Sequence, residues 1–303
     1  MGWLAQQCEE LFRHDQWQIG VVEAPIHAFL APGFRPAVRW LPAPGRSGFR
    51  ADPFGWAGGD ELQIFCEDYD AARGRGRLVV VGEQGGLQPL RGFPPAVHLS
   101  YPYLIEDQGA LYCVPEMWHS GQVRLYRAAR WPEEWVQEAV LLPDFAGVDA
   151  TVFRHEGRWW MACARQCFEP ERDLWLFHAP ALRGPWQPHA NNPVKRDVTS
   201  ARSGGTPFVH AGALYRPAQD CSRTYGGGLA LNRVVRLTPE EFAEETVVRL
   251  APPADWPWRA GWHTLAAMGE RTLLDAKRVA LLPAACRRVA GHKLRRLLRQ
   301  KRA

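Results

Sequence analysis

No apolar run in this chain approaches the ~20 residues that a membrane-spanning helix needs. Residues 1–10, Met-Gly-Trp-Leu-Ala-Gln-Gln-Cys-Glu-Glu, carry no basic segment leading into an apolar one, so neither a spanning helix nor a secretion leader is read and a cytoplasmic protein is expected. The seven cysteines are odd in number and include no CxxC pair, which argues against a zinc site or a disulfide framework. Cys66, Cys113 and Cys163 lie in apolar, strand-like stretches and are expected to be reduced core thiols. Phosphate-loop and dinucleotide fingerprints are also missing. Gly74-Arg-Gly-Arg lacks the Lys-Ser/Thr pair or the following helix that such chemistry needs, and Asp70-Ala-Ala-Arg-Gly-Arg-Gly reads as a hairpin connection. Helix signals are sparse: residues 2–13, the Thr238-Pro-Glu-Glu-Phe segment with its cap-like Thr and first-turn acids, and the C-terminus.

Residues 286–303 lack acids altogether while holding eight Lys/Arg, so the formal charge of +5 is 8 lower, −3, without them. Leu294, Leu297 and Leu298 fall on one helical face there. A short peripheral basic helix is expected, able to rest on an anionic membrane surface through the cations from Arg287 to Arg302 or to stay solvated. No groove-reading or single-strand motif accompanies these cations, and nucleic acid is not expected as a partner.

What the chain does have is 14 tryptophans, 25 prolines and a repeat. Asp52-Pro-Phe, Tyr101-Pro-Tyr-Leu, Asp149-Ala-Thr-Val-Phe, Thr206-Pro-Phe-Val and His263-Thr-Leu each lead through a polar turn to glycine and then an apolar strand. The turn glycines, Gly59, Gly109, Gly157, Gly212 and Gly269, are 50, 48, 55 and 57 residues apart, the length of one four-stranded propeller blade. The expected fold is therefore all-β, a single five-bladed β-propeller over residues 1–285 followed by the basic tail at 286–303. The proline-rich and glycine-rich stretch 31–50 reads as a surface connection before the first repeat.

A propeller brings equivalent repeat positions to one axis. One edge of the repeats carries Asp52, Tyr101, Asp149, Thr206 and His263; the other, about seven residues past the turn glycines, carries Glu67, Glu116, Arg165, Asp220 and Asp275. So many carboxylates predict a polar axial funnel suited to a sugar. Making or breaking a glycosidic bond needs one carboxylate to activate the incoming oxygen and one carboxylic acid to protonate the leaving oxygen. Asp52 is the candidate base or nucleophile. Glu116, after an apolar strand and near Trp118, is the candidate acid, and Asp149 the candidate orienting residue. Against each stands a plainer reading, since Asp before Pro or Thr is a common turn starter. Glu67, Tyr101, Trp118 and Arg165 are expected to line the site with Arg202, Arg216, Gln219, Asp220 and Tyr225, an Arg-rich group able to bind hydroxyls or an anion. The plainer reading of that group is ion pairing across blades. His263 could ligate an axial cation, and one histidine without a recognisable ligand set is weak evidence for a metal.

The series Ala51-Asp-Pro-Phe, Glu67-Asp-Tyr-Asp-Ala-Ala-Arg-Gly-Arg-Gly-Arg, Tyr101-Pro-Tyr-Leu-Ile-Glu-Asp, Val114-Pro-Glu, Asp149-Ala-Thr-Val-Phe, Gly184-Pro-Trp-Gln-Pro-His, Asn192-Pro-Val and Arg216-Pro-Ala-Gln-Asp-Cys resembles the propeller domain at the N-terminus of plant glucosamine inositolphosphorylceramide transferases. More distantly the chain resembles five-bladed arabinanase, xylosidase and fructosidase glycoside hydrolases. In that group an Asp opening the first blade is the base or nucleophile, a later Asp positions, and a Glu is the acid. The resemblance implies the first two roles for Asp52 and Asp149, and leaves Glu116 as the best match for the acid with Glu67 second. It also implies a glycan, glycolipid or nucleotide-sugar substrate. Glycosyl transfer is the leading expectation, a furanosidase-like hydrolase the alternative, and a non-catalytic sugar-binding propeller the third reading.

Overall fold

The computed structural model describes residues 13–45, 48–58, 62–82 and 84–281. The basic tail, most of the 2–13 segment and the turn glycine Gly59 lie outside them. Five antiparallel sheets follow one another in chain order, as the repeat predicts. The first four blades each run from the axis outward. Blade one comprises Gly48–Gly55, Ile64–Asp70, Arg75–Val81 and Leu87–Pro89, and blade two Ser100–Asp107, Ala110–Glu116, Val123–Arg130 and Glu134–Leu142. Blade three comprises Gly147–His155, Arg158–Arg165, Asp173–Ala179 and Gln187–Pro188, with Lys195–Arg196 also pairing to its third strand. Blade four comprises Phe208–His210, Ala213–Asp220, Gly228–Leu237 and Phe242–Leu250.

Blade five closes the ring with both ends of the described chain. Its inner strands are Leu265–Met268 and Arg271–Leu281, and its outer strands are Arg13–Val22 and Val38–Trp40. Ten register pairs join Arg13–Val22 to Arg271–Leu281. Two expectations are corrected here. Arg13, read as a helix end, opens a strand, because Trp17, Ile19 and Val21 alternate inward and are buried. The 31–50 stretch is more than a surface connection, since it supplies the outermost strand of this blade and the start of blade one.

The inner hairpins turn where the glycines predict. Gln108-Gly109, Glu156-Gly157 and Ala211-Gly212 each place two successive residues at positive φ (52° and 76°, 48° and 79°, 48° and 77°), the tight turn whose twist matches the flanking strands and which favours glycine second. Thr238-Pro-Glu-Glu-Phe forms a turn and not a helix. Thr238 Oγ1 accepts from the backbone N–H groups of Glu240 and Glu241 at 3.3 and 2.9 Å, so the hydroxyl satisfies a bend between Gly228–Leu237 and Phe242–Leu250. Cys66, Cys113 and Cys163 are buried free thiols, as expected. The core runs between the sheets, with Ile64, Val79, Val114, Leu125 and Met161 fully enclosed.

Candidate active site at the propeller axis

Asp52, Tyr101 and Asp149 do not start their strands; each lies inside one, at a break in register. Pairing with the next strand shifts between Ala51 and Phe54, between Ser100 and Tyr103, and between Val148 and Thr151. At the breaks Asp52, Tyr101 and Asp149 adopt φ of 53°, 44° and 50°. A bulge re-aims a side chain that regular pleating would send into the sheet interface, and non-glycine residues in the left-handed region concentrate at functional positions. Three successive blades therefore turn their equivalent residue to the axis.

Asp52 and Asp149 line a cavity of about 560 Å³, together with Glu67 and Glu116 from the second strands of blades one and two. All four are buried. Asp52 Oδ2 accepts from the Tyr101 backbone N–H at 3.2 Å and Oδ1 from Thr264 Oγ1 at 3.2 Å. Asp275, fully enclosed, accepts from the backbone N–H of Asp52 at 2.9 Å and of His263 and Thr264 at 3.2 and 3.0 Å. Its Oδ1 also contacts His263 Nδ1 at 2.7 Å, leaving His263 Nε2 3.7 Å from Asp52 Oδ1. Glu116 Oε2 accepts from the Asp149 backbone N–H at 3.1 Å. Asp149 Oδ2 receives Arg202 Nε at 2.7 Å and Gln219 Nε2 at 2.9 Å.

Burial sets the titration of these groups. It pushes the Asp52 carboxyl up to about 7, with Asp275 and Asp149 adding to the rise and the His263 ring opposing it. Burial likewise holds Glu116 well above the usual carboxylate range, reinforced by neighbouring Asp149 and countered by Arg202. Glu67 is raised by burial and then by Asp52 and Glu116, and its Oε1 has no hydrogen-bond partner. Burial works against charge on His263, but Asp275, with Asp52 and Asp149 adding to it, raises the ring above the ordinary histidine value. Asp52, His263 and Asp275 have ligand atoms within 4.8 Å of one another. Asp275 Oδ1 holds His263 Nδ1 and the Thr264 N–H, and Asp52 Oδ1 holds Thr264 Oγ1, which links the three groups in one hydrogen-bonded chain.

Arg202, Tyr225 and His263 join the pocket wall as the sequence reading places them, and Gln219 acts on it through Asp149. Other expected site residues go elsewhere. Tyr101 is fully enclosed below the pocket, its hydroxyl meeting Thr151 Oγ1 at 2.8 Å and accepting from Gly205 N–H at 3.0 Å, so it ties blade two to three and to the approach to four. Arg216 is buried in an ion pair with Glu244 at 2.6 Å and donates to the carbonyls of Ser200 and Ala201. Arg165 lies over the rings of Phe145, Phe168 and Trp175. Asp220 accepts from Ser222 and faces Arg249, and Trp118 stacks on His119 at 3.5 Å outside the pocket.

Sequence reasoning missed the aromatic wall. Trp17 stacks on His263 at 3.7 Å and 12°, and Phe49 stacks on Tyr69 at 4.5 Å and 11°. All four rings line the pocket. Trp17 precedes the first repeat, and the repeat was the only signal that pointed to the axis.

Similarity to known proteins covers the same region. Residues 41–266 match the family described as glucosamine inositolphosphorylceramide transferase 1, N-terminal. Proteins named glucosamine inositolphosphorylceramide transferase 1 from Oryza sativa subsp. japonica and Arabidopsis thaliana are 36% identical over 210 residues and 33% over 211, covering 66% of this chain in both and 28% and 27% of the relatives. The chain thus spans little more than a quarter of the length of these relatives. Among solved structures, a family 117 glycoside hydrolase from Zobellia galactanivorans aligns with a TM-score of 0.52 at 13% identity, over 90% of this chain and 92% of its own. An α-L-arabinofuranosidase from Lactobacillus brevis aligns with a TM-score of 0.52 at 12% identity, over 78% and 87%. Likeness at that identity is likeness of fold, whereas the match over residues 41–266 is one of sequence: the chain belongs to the family of glucosamine inositolphosphorylceramide transferase 1 N-terminal domains.

Proposed function

We propose that the axial pocket makes or breaks a glycosidic bond, acting foremost in glycosyl transfer during assembly of a glycan or glycolipid. The observation that carries this reading is the placement of buried Asp52 and Glu116 in one open axial pocket, in different surroundings, with Asp149 linked to Glu116. Asp52 takes the proton from an acceptor hydroxyl or water as its oxygen attacks the sugar carbon, and Glu116 gives a proton to the departing oxygen. A carboxyl raised to about 7 is a stronger base than an ordinary aspartate. Asp149 orients Glu116 through its backbone N–H, while Arg202 and Gln219 fix its own carboxylate. Tyr69 and Tyr225 offer ring faces against which a pyranose or furanose can lie. The relatives' names, which specify a transferase acting on an inositolphosphorylceramide, support transfer over hydrolysis.

The test is a mass-spectrometric product screen of wild type and Asp52→Asn with nucleotide sugars, polyprenyl-linked sugars and oligosaccharides, with and without lipid acceptors. Wild type is expected to make a new glycoside, and Asp52→Asn to lose ~10²-fold or more in rate with the fold intact. Free sugar from wild type alone would establish a hydrolase. Sugar binding without turnover would reduce the site to a binding module and overturn the enzymatic reading.

A further inference from the structure

A second cavity, of about 440 Å³, adjoins the axial pocket, and Tyr69 lines both. Its walls are the hairpin between Ile64–Asp70 and Arg75–Val81 and, facing it, the segment that leads into blade two. The backbone between the two spaces is thin. At Gly76 a Cβ would stand 2.1 Å from Glu67 Oε1 and 2.7 Å from the Leu99 carbonyl oxygen, so only glycine lets the axial carboxylate and the second cavity lie this close.

Three guanidinium groups, from Arg73, Arg75 and Arg77, line this cavity. Arg77 is matched, with Nη2 and Nε donating to Asp68 Oδ2 at 2.9 and 3.1 Å, while Asp68 Oδ1 faces Arg50 Nε at 3.5 Å. Asp70 Oδ1 accepts from the backbone N–H groups of Ala72 and Arg73 at 2.8 and 3.2 Å, and Oδ2 lies 3.5 Å from Arg73 Nε. Arg75 differs. It is half-buried and has no ion pair among the described residues, and burial, helped by its charge, holds the His98 ring below the ordinary histidine value. The two cavities thus differ: the axial one sets Arg202 and His263 against its carboxylates, and the second has one more guanidinium than its two aspartates match. In the second cavity a guanidinium fork suits a phosphate.

We propose that the second cavity is a phosphoester subsite, in which Arg75, assisted by Arg73, holds the phosphate of a substrate whose sugar lies across Tyr69 in the axial pocket. The link to a sugar rests on the glycosidic reading of the axis; the anion site itself does not. A lipid headgroup, a sugar phosphate and a nucleotide sugar share this chemistry.

The test titrates inorganic phosphate into the full chain carrying ¹⁵N-arginine, with Arg75→Gln used to assign the Arg75 Nε–H signal and its melting curve used to verify folding. The Arg75 signal is expected to shift and saturate, Arg75→Gln to weaken phosphate binding about tenfold or more, and added NaCl to weaken it in wild type. Glucose 1-phosphate, UDP-glucose and vesicles containing phosphatidylinositol are then added as competitors, and the one that displaces phosphate identifies the source of the phosphoester. The titration reads no turnover, so an inactive axis leaves its result standing. An unmoved Arg75 signal, phosphate binding by folded Arg75→Gln equal to wild type, or no displacement by any competitor would overturn the proposal.

Discussion

Asp52 meets opposing demands from its neighbours, and their balance sets how the protein responds to pH. With the carboxyl raised to about 7 by burial, the base form grows as pH rises through that value. The rate is therefore expected to climb with pH up to about 7, and a pH–rate profile of kcat/KM would show that limb. Stability runs the other way. The unfolded carboxyl titrates near ~3.9, so between that pH and about 7 the native state binds the extra proton. The stability held below the unfolded value is lost as pH rises through the folded one. Asp52→Asn, which cannot ionise, is expected to raise Tm at pH 8 relative to wild type and to do so less at pH 5, while losing activity at both. A Tm difference independent of pH would remove Asp52 from this balance.

At the scale of strands, one residue of register decides which side chains meet the axis. Glu67 pairs with Ala51, the residue before Asp52, and Glu116 with Ser100, the residue before Tyr101. In blade three the partner of Val148, the residue before Asp149, is Ala164, and Arg165 is one step further along, opposite Gly147. Successive strand residues face opposite ways, so Arg165 is carried to Phe145 and Trp175. In blade four it is Gln219, and not Asp220, that reaches Asp149. The sequence made the blade count and the placement of Asp52, Asp149 and Glu116 legible, because turn glycines and repeat period carry both. Counting about seven residues past a glycine could not resolve this parity, since bulges and loop lengths shift it by one. Arg216 illustrates the cost of reading polarity alone: with Glu244 it is an almost fully buried pair, 2% and 1% exposed, anchoring the outer strand Phe242–Leu250 to the chain at Ser200 and Ala201. Arg216→Leu is expected to destabilise by about 3–5 kcal/mol, read as a shift in chemical denaturation, with sugar affinity of the folded protein unchanged. A folded variant of wild-type stability that had lost only sugar affinity would return Arg216 to the binding site.

Across the whole molecule, the ring is shut by hydrogen bonds between Arg13–Val22 and Arg271–Leu281, and the same strand brings Trp17 to His263. Fold closure and the pocket wall thus depend on one segment. Ile19, fully enclosed and paired in register with Asp275, is the position that tests this. Ile19→Ala is expected to cost about 2–5 kcal/mol and to expose the seam to limited proteolysis ahead of blades two and three. Cleavage appearing first within blade two would mean that closure is not the weak point. The pairing also has a consequence for how the chain is made. Synthesis at ~5–20 residues per second separates the emergence of the two seam strands by on the order of tens of seconds. Throughout that interval Trp17, Ile19 and Val21, all buried in the finished ring, have Val38–Trp40 along one edge of their strand but lack the Arg271–Leu281 strand on the other. The axial pocket, with Trp17 as part of its wall, is therefore complete only once the Arg271–Leu281 strand has cleared the ribosome.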